Sequence, residues 1–264
     1  MNLEIENKFA IVCASSKGLG FAIANSLLNE GVKVLICSSK KTSLDEASSQ
    51  LINNGFQNNF YTYHADLSST VGVVALFKFA LSKTINIDIL INNCGGPDPG
   101  DIEELNESQL DEAINKNLKS TFILTKLVLP IMQNNNWGRI INITSSSAKQ
   151  PIDGLLLSNI TRAAVTGFAK SISNQYAKYN ILVNNVLPGR IITNRIIELA
   201  EKKAKETGKP IEMVLDSMGN DLPIGRLGKP DEFASMVTFL CSEKASYITG
   251  NSINIDGGLI KSIF

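Results

Sequence analysis

Short apolar runs alternate with longer amphipathic stretches along this chain. Runs with the length and composition of β-strands lie at residues 9–13, 32–37, 60–65, 87–91, 139–143, 181–186 and 252–255. Patterns with helical spacing lie between them, at residues 21–28, 44–53, 71–83, 109–133, 163–178 and 231–241. Strands that are separated by helices pair in parallel through right-handed crossovers. The pattern therefore predicts an α/β fold with a parallel sheet.

The chain length also allows a barrel of eight alternating strands and helices, and the position of a glycine loop decides between the two folds. This loop follows the first strand, whereas the phosphate site of such a barrel usually follows the last strands. We therefore favour an open, doubly wound sheet with helices on both faces. In such a sheet ligands bind at the carboxyl ends of the strands, where this chain places its unusual residues.

The loop after the first strand has the composition of a phosphate site: Ala14, Ser15, Ser16, Lys17, Gly18, Leu19 and Gly20. Gly18 permits a tight turn, and Gly20 permits close approach of helix and strand. Free N–H groups at the start of the next helix would face an anion, with the helix dipole behind them. Ala14 replaces the first glycine of the usual dinucleotide fingerprint, so the loop indicates a nucleotide only together with the residues below.

The residues after the second strand bear on the choice of cofactor. An NAD enzyme has an acidic residue here, whereas this chain has Ser38, Ser39, Lys40 and Lys41. Together with Lys17, these lysines could meet a 2′-phosphate, and the two serines could donate neutral hydrogen bonds. The alternative is that the lysines are only solvated. We expect NADP(H), and NAD(H) is the less favoured cofactor.

Two further turns complete the predicted nucleotide site. Asp66, followed by Leu67, ends the third strand and could hold the adenine amino group. Asn93 and Gly95 follow the fourth strand, where an amide can brace the backbone and a glycine admits a flat ring.

Composition limits the possible partners. The chain has 264 residues, of which 44% are hydrophobic, enough for one domain or at most two. Lysine plus arginine equal aspartate plus glutamate at 25 each, so charge draws the protein to neither nucleic acid nor an anionic membrane. No apolar run approaches the roughly 20 residues of a membrane span, and the first six residues lack the pattern of a leader. We expect a cytoplasmic protein whose partners are small molecules and copies of itself.

The cysteines and the single histidine exclude several chemistries. Cys13, Cys37, Cys94 and Cys241 are widely spaced, so we expect buried free thiols and no metal site. His64 lies at the end of a predicted strand, where a surface or packing role is expected. A serine hydrolase would need that histidine beside a nucleophile elbow, and the chain has no Gly-x-Ser-x-Gly.

Along essentially its whole length the chain resembles the short-chain dehydrogenase/reductase family, and within it the 3-oxoacyl-carrier-protein reductases. The resemblance rests on residues 14–20, Asp66, residues 92–95, Asn117, Leu118, Ser145, Pro188, Gly189, Ile191, Thr193, residues 247–250 and residues 256–258. It implies a Rossmann-like sheet of seven parallel strands, a nicotinamide cofactor and a dimer or tetramer. It also implies that Pro188, Gly189, Ile191 and Thr193 contact the cofactor.

The family pattern breaks at its catalytic pair. Thirteen residues after the active-site serine, here Ser145, the family has a tyrosine, followed four residues later by a lysine. This chain has Ser158 and Arg162 there. A serine hydroxyl is a far weaker acid than a phenol, and a guanidinium does not release its proton. Arg162 could still grip ribose hydroxyls of the cofactor, and Asn117 keeps the place of the family's relay asparagine.

Oxyanion donation and proton supply are therefore assigned to other groups. Ser145 is the predicted oxyanion donor, with Ser158 as a second candidate. Lys149, in the loop after Ser145, is the predicted replacement acid, because a desolvated lysine near Arg162 would have a lowered pKa. The alternative for Lys149 is an exposed loop lysine. Lys116 is a weaker candidate.

Three functions remain open from the sequence. The first is reduction of a simple carbonyl, and the second is hydride addition to a conjugated enone or enoyl acid, whose enolate needs no strong acid. The chain also resembles a divergent branch of the family that lacks the Tyr-x-x-x-Lys pair and includes the conjugate reductase of the anticapsin (bacilysin) pathway. The third is a non-catalytic NADP-binding sensor or partner subunit. Residues 190–222, with helical stretches at 196–205 and 211–218, look like the substrate lid of an active enzyme.

The apolar end of the chain bears on assembly. Residues 253–264 include Leu259, Ile260, Ile263 and Phe264, which is too apolar an ending for a solvated terminus. We expect this segment to pack against a second copy in a homotetramer, with a homodimer as the alternative.

Overall fold

The computed structural model describes residues 1–263, which form an α/β fold around a parallel sheet. Within those residues the sheet has seven strands: β1 (Phe9–Val12), β2 (Lys33–Ser38), β3 (Phe60–His64), β4 (Ile89–Asn92), β5 (Gly138–Ile143), β6 (Ile181–Pro188) and β7 (Ser252–Ile255). Their spatial order is β3-β2-β1-β4-β5-β6-β7, and every neighbouring pair is parallel. The predicted doubly wound, Rossmann-like sheet is confirmed.

The order of the strands reverses direction at β1. Val12, the last residue of β1, pairs with Ile36 of β2 on one side and with Ile91 of β4 on the other. The connections that leave β1 and β4 run to opposite sides of this point, so a crevice opens beyond their carboxyl ends.

Helices cover both faces of the sheet: α1 (Gly18–Asn29), α2 (Lys41–Asn53), α3 (Thr70–Leu81), α4 (Glu107–Ala113), α5 (Ser120–Asn134), α6 (Leu156–Tyr176), α7 (Asn194–Thr207), α8 (Ile211–Asn220) and α9 (Pro230–Leu240). The alternating side chains of the strands supply two cores. Val12 and its same-face neighbours pack with Leu27 of α1 and Phe233 of α9. Ile11 and its neighbours pack on the other face with Leu76 of α3 and Val128 of α5.

Two helical predictions were wrong in detail. The stretch 109–133 is not one regular helix, because a π-helical turn at Ile114–Lys119 joins α4 to α5. The helix predicted from residue 163 begins at Leu156, seven residues earlier. Serine, asparagine and β-branched residues weaken helix propensity there, but Leu157, Thr161 and Val165 bury one face at helical spacing and hold the segment helical.

None of the helices within residues 1–263 combines the length and apolar character that a bilayer crossing requires. The same residues contain no group of three or more His, Cys, Asp or Glu side chains that could hold a metal ion.

Candidate active site

A cavity of about 430 Å³ opens beyond the carboxyl ends of the central strands. The segments that follow β1, β4, β5 and β6 each contribute to its wall, through residues that include Leu19, Asn93, Ser145 and Gly189. This is the place at which a doubly wound sheet binds its ligands.

The glycine loop is held rigidly against β2. Ser15 is fully buried, its hydroxyl donates to the Val12 carbonyl at 2.6 Å, and Cys37 N–H donates to the same hydroxyl at 3.1 Å. Ala14 has a φ of +44°, in the left-handed region that normally favours glycine. The loop therefore keeps the shape of a glycine fingerprint even though its first glycine is missing.

The start of α1 has the features of an anion site. The residue before it, Lys17, supplies no side-chain cap, so the first N–H groups of the helix have no intrahelical or capping partner. A Cβ at Gly20 would lie 2.4 Å from the carbonyl oxygen of Ala14 and 2.8 Å from Nδ2 of Asn93. Asn93 donates to the carbonyls of Cys13 and Ala14 at 3.2 and 3.1 Å, which fixes the loop from the β4 side.

Beside the loop lie the residues predicted to read the 2′-position of the adenosine ribose. Ser16 Oγ lies 3.0 Å from Oγ of buried Ser38, which also accepts from Lys40 N–H at 3.2 Å. Ser39 and Lys40 are exposed. Lys17 Nζ lies 3.5 Å from Oε2 of Glu46, a carboxylate of α2 that the local sequence after β2 did not reveal.

Asp66 is placed at the exposed end of β3. The backbone N–H of Ser68 and its hydroxyl donate to the Asp66 carboxylate at 2.9 and 2.8 Å, and these bonds lower the pKa of Asp66. Leu67 packs against the adjacent core, and Gly95 lies near the side chain of Lys116. His64 is exposed, as expected of a surface residue, with Nε2 3.1 Å from the Ser39 carbonyl oxygen.

The two serines predicted to act in catalysis are joined through a third. Ser145, two residues after β5, accepts at Oγ a hydrogen bond from Ser147 N–H at 3.1 Å. The hydroxyls of Ser147 and Ser158 lie 3.1 Å apart. Both Ser145 and Ser158 line the cavity.

Arg162 lies one helical turn after Ser158, so both point from α6 to the same side. Its side chain is buried, and Nη1 donates to the Ile143 carbonyl at 3.1 Å and to Cys94 Sγ at 3.2 Å. Its buried Nε has no hydrogen-bond partner within residues 1–263. Arg162 therefore lines the cavity, while its Nε is enclosed by protein.

Cys94 links Arg162 to Asn117. Asn117 lies fully buried in the π-helical turn, donates through Nδ2 to the Ala113 carbonyl at 3.0 Å, and accepts at Oδ1 from Cys94 Sγ at 2.9 Å. The prediction of four buried thiols was therefore wrong for Cys94, which is half-buried and lines the cavity, whereas Cys13, Cys37 and Cys241 are buried. Its position in the turn after β4 was the available sequence signal.

Lys149 is not brought together with these groups. It follows the short 3₁₀ turn Ser146–Ala148, is exposed and does not line the cavity. Lys116 likewise is not among the described residues that line the cavity. The structure therefore links Ser145 to Ser158 through Ser147, links Arg162 to Asn117 through Cys94, and leaves both lysines outside the cavity.

Known proteins are similar to this chain along nearly all of its length. A family model described as Enoyl-(Acyl carrier protein) reductase matches residues 13–260. Dehydrogenase/reductase SDR family member 4 of the rabbit, Oryctolagus cuniculus, is 35% identical over 255 residues, which cover 96% of this chain and 94% of that protein.

The chain belongs to the short-chain dehydrogenase/reductase family. The 3-oxoacyl-[acyl-carrier-protein] reductase FabG of Aquifex aeolicus is 32% identical over 259 residues, covering 98% of this chain and all of that one. The crystal structure of YwfH, an NADPH-dependent reductase involved in bacilysin biosynthesis, superposes with a TM-score of 0.92 at 29% identity and covers 98% of this chain and 100% of that one. These findings confirm the resemblance noted in the sequence.

The segment after β6 completes the cavity of this short-chain dehydrogenase/reductase. Gly189 is required by close packing, because a Cβ there would lie 2.6 Å from Cα of Asp256. Ile191 is buried, and Thr193 lies near Gly18, next to the glycine loop. Pro188, Gly189, Ile191 and Thr193, which were predicted to contact the cofactor, all line the cavity.

The stretch predicted as a lid also contributes apolar side chains from its helices to the cavity. Ile196 and Leu199 of α7 and Met218 of α8 line the cavity. Arg190 ties this stretch together, since its Nη1 donates to the Met218 carbonyl at 2.7 Å and to Asp221 Oδ2 at 3.1 Å. Leu259 and Ile260 from the apolar tail also line the cavity, so this part of the tail packs within the same chain.

Proposed function

We propose that this protein is an NADP(H)-dependent reductase that transfers hydride to a carbonyl or conjugated carbonyl substrate. The observation that carries the proposal is a single cavity shared by the glycine-loop side, the Ser145–Ser158 hydroxyls and the Arg162 guanidinium. The NADPH dependence named for YwfH and the reductase names of the other relatives support it.

The residues present fit a dinucleotide. The uncapped start of α1 would hold the diphosphate, and the guanidinium of Arg162, which lines the cavity, would face ribose hydroxyls. Ser16, Ser38 and Lys17 would face the 2′-phosphate, while Ile191 and Thr193 would border the nicotinamide. When bound, the reduced nicotinamide supplies a hydride.

The protein side chains then stabilise the charge that hydride transfer creates. Ser145 would donate a hydrogen bond to the substrate oxygen, with Ser158 close by, while Arg162 keeps a positive charge at the same wall. Among the described residues that line the cavity there is no tyrosine, lysine, histidine or carboxylate. A wall of hydroxyls and guanidinium groups suits an enolate better than an alkoxide that needs a strong acid. We therefore favour a conjugated carbonyl over a simple ketone.

Steady-state rates of three proteins test this proposal: the unmodified protein, Ser145→Ala, and the double variant Ser158→Tyr with Arg162→Lys. Each is assayed with NADPH and, in turn, an enone and a simple ketone. We expect enone reduction by the unmodified protein and a loss of about 10²–10³ in kcat in Ser145→Ala, because an oxyanion donor is removed. The double variant should not accelerate enone reduction, since the larger tyrosine enters a space shaped for serine.

The other outcomes identify the competing functions. A sharp gain in ketone reduction by the double variant, with no enone activity in the unmodified protein, would show a ketoreductase. NADPH binding without turnover of any substrate would favour the sensor or partner-subunit alternative.

The proposal extends to the molecule as a whole. We infer that residues 190–222 act as a substrate lid, because their side chains form one wall of the cavity. We also infer a cytoplasmic homo-oligomer. The four free cysteines within residues 1–263 fit a reducing compartment.

A further inference from the structure

The cavity wall is strongly cationic. Arg162, Arg190 and Arg195 all contribute to it, and no aspartate or glutamate does so among residues 1–263. A guanidinium stays charged at any pH at which a protein is folded, so this charge is permanent.

Two of the three guanidinium groups are held by the protein. Arg162 donates to the Ile143 carbonyl and to Cys94, and Arg190 donates to the Met218 carbonyl and to Asp221. The side chain of Arg195 makes no hydrogen bond or ion pair with any residue of the described chain. Its charge therefore faces the cavity and solvent without a partner.

Local structure gives no reason for a cation at position 195. Arg195 is the second residue of α7, where the helix dipole disfavours positive charge. Glu198, one turn further along α7, makes no ion pair with it. Arg195 and Leu199 are four residues apart and both line the cavity, so the charged group stands beside an apolar wall.

We propose that Arg195 binds a carboxylate of the substrate, so that the enzyme selects anionic carbonyl compounds such as oxo acids and unsaturated oxo acids. A guanidinium matches a carboxylate through two parallel hydrogen bonds, and the apolar side chains around it suit the body of such an acid. This inference rests on the proposed reductase function, because it names the substrate class of the same cavity.

The cofactor diphosphate is the competing anion. Thr193, two residues before Arg195, lies near Gly18 of the glycine loop. Arg195 instead shares its side of α7 with Leu199, whose apolar side chain also lines the cavity. A substrate with an apolar body therefore suits the surroundings of Arg195 better than the cofactor diphosphate does.

Binding and turnover of a matched pair of probes test the inference. The probes are 2-oxo-4-phenylbut-3-enoate and its methyl ester, which differ in the negative charge and in one methyl group. Calorimetric titration in the presence of NADP⁺ should show the acid binding about 10- to 100-fold more tightly than the ester, as expected for a charge-assisted hydrogen-bond pair. Arg195→Gln should abolish this ratio, and Arg195→Lys should restore part of it.

Lys203→Gln is the matched control. Lys203 is an exposed cation of the same helix that does not line the cavity, so its removal should leave the acid-to-ester ratio unchanged within about twofold. Fluorescence titration should give the same NADPH affinity for Arg195→Gln and the unmodified protein.

Each other outcome has a distinct meaning. Equal binding of acid and ester by the unmodified protein would overturn the inference. Weakened NADPH binding in Arg195→Gln, with an unchanged acid-to-ester ratio, would also overturn it and assign Arg195 to the cofactor. Tight, Arg195-dependent binding of the acid without reduction of either probe would leave the inference standing and refute the proposed reductase function.

Discussion

Cys94 shows how a residue separated by long stretches of sequence from its partners can connect a site. Its sulfur lies between Asn117 Oδ1 and Arg162 Nη1, at 2.9 and 3.2 Å, and it lines the cavity. The cofactor proposed here would lie against this turn and against Arg162. Bound NADPH should therefore shield this thiol from solvent.

Alkylation measures that shielding. Iodoacetamide should modify Cys94 before Cys13, Cys37 and Cys241, because the last three are buried, and burial also raises the pKa of Cys241 to about 12. Saturating NADPH should slow the modification of Cys94, as followed by peptide mass mapping. Faster alkylation of a buried cysteine, or an alkylation rate of Cys94 that NADPH does not change, would contradict the placement of Cys94 beside the cofactor.

The ion pair between Lys17 and Glu46 predicts a second effect at the residue scale. The Glu46 carboxylate pairs with the Lys17 ammonium group, which is proposed to bind the 2′-phosphate. Both side chains are largely exposed. Glu46→Gln should therefore tighten NADPH binding only about two- to fivefold, the range of an exposed pair. Lys17→Ala should weaken NADPH binding by about 1–3 kcal/mol.

NADH is the control for both variants, since it lacks the 2′-phosphate. Fluorescence titrations at low and high salt should show little change in NADH affinity and a smaller Glu46 effect at high salt. Equal affinity of the unmodified protein for both cofactors would refute the NADP(H) preference.

At the scale of helices and strands, the sequence predicted the elements whose side chains are buried in a regular pattern. Buried strands read as apolar runs, so each of the seven predicted strands overlaps an observed one and their ends differ by at most two residues. The π-helical turn around Asn117 was not predictable, because the change from i+4 to i+5 bonding leaves the apolar pattern nearly intact. The start of α6 was missed because packing overrode weak propensity there.

Some residues of the candidate site could likewise be predicted from the sequence and others could not. Residues in fixed order after the strands, such as Ser145, Asn93 and Ser158, could be predicted to meet at one edge of the sheet. The outward turn that exposes Lys149 and the contacts of Cys94 and Glu46 depend on side-chain direction and on pairing across the fold. Neither is encoded in spacing along the chain.

The start of α9 carries a pH-dependent interaction. Glu232 accepts hydrogen bonds from Arg226 at 2.6 and 2.9 Å and from the Lys229 N–H at 2.8 Å, and these lower its pKa from 4.5 to about 2. A carboxylate with a lowered pKa stabilises the fold above its ordinary pKa, and this stabilisation is lost as the pH falls towards 2.

Thermal unfolding of Glu232→Gln tests this linkage. The variant should have a lower Tm than the unmodified protein at pH 7, and the difference should narrow as the pH falls from about 4.5 towards 2. Because the pair is exposed, high salt should also reduce the difference. A Tm difference that does not change with pH would show that the carboxylate charge plays no part.

At the scale of the whole molecule, exposed apolar side chains indicate self-association. Phe122 of α5 is 47% exposed and packs against Phe168 of α6 with ring centroids 5.6 Å apart, and Ile160 of the same helix is 46% exposed. Ile263, in the apolar tail, is 92% exposed, whereas Phe264 of the predicted tail lies outside the described residues. Such surfaces are typical of contacts between copies of a chain.

We expect a homotetramer at micromolar concentration in sedimentation experiments. Phe122→Glu should shift the protein to smaller species by placing a charge in a covered apolar contact. Val71→Glu is the matched control, because Val71 is an apolar side chain of α3 that is 79% exposed and takes no part in the aromatic pair. A stable monomer of the unmodified protein would refute the assembly.

The left-handed Ala14 has a thermodynamic consequence for ligand capture. An alanine with φ of +44° has a higher backbone conformational energy than glycine would have there, yet the hydrogen bonds of the buried Ser15 hydroxyl hold the loop in that shape. Alanine also has fewer backbone states than glycine when the chain is unfolded or the loop is loosened. The loop consequently loses little conformational entropy when a dinucleotide binds. Most of the entropic cost of ordering this loop falls on folding rather than on binding.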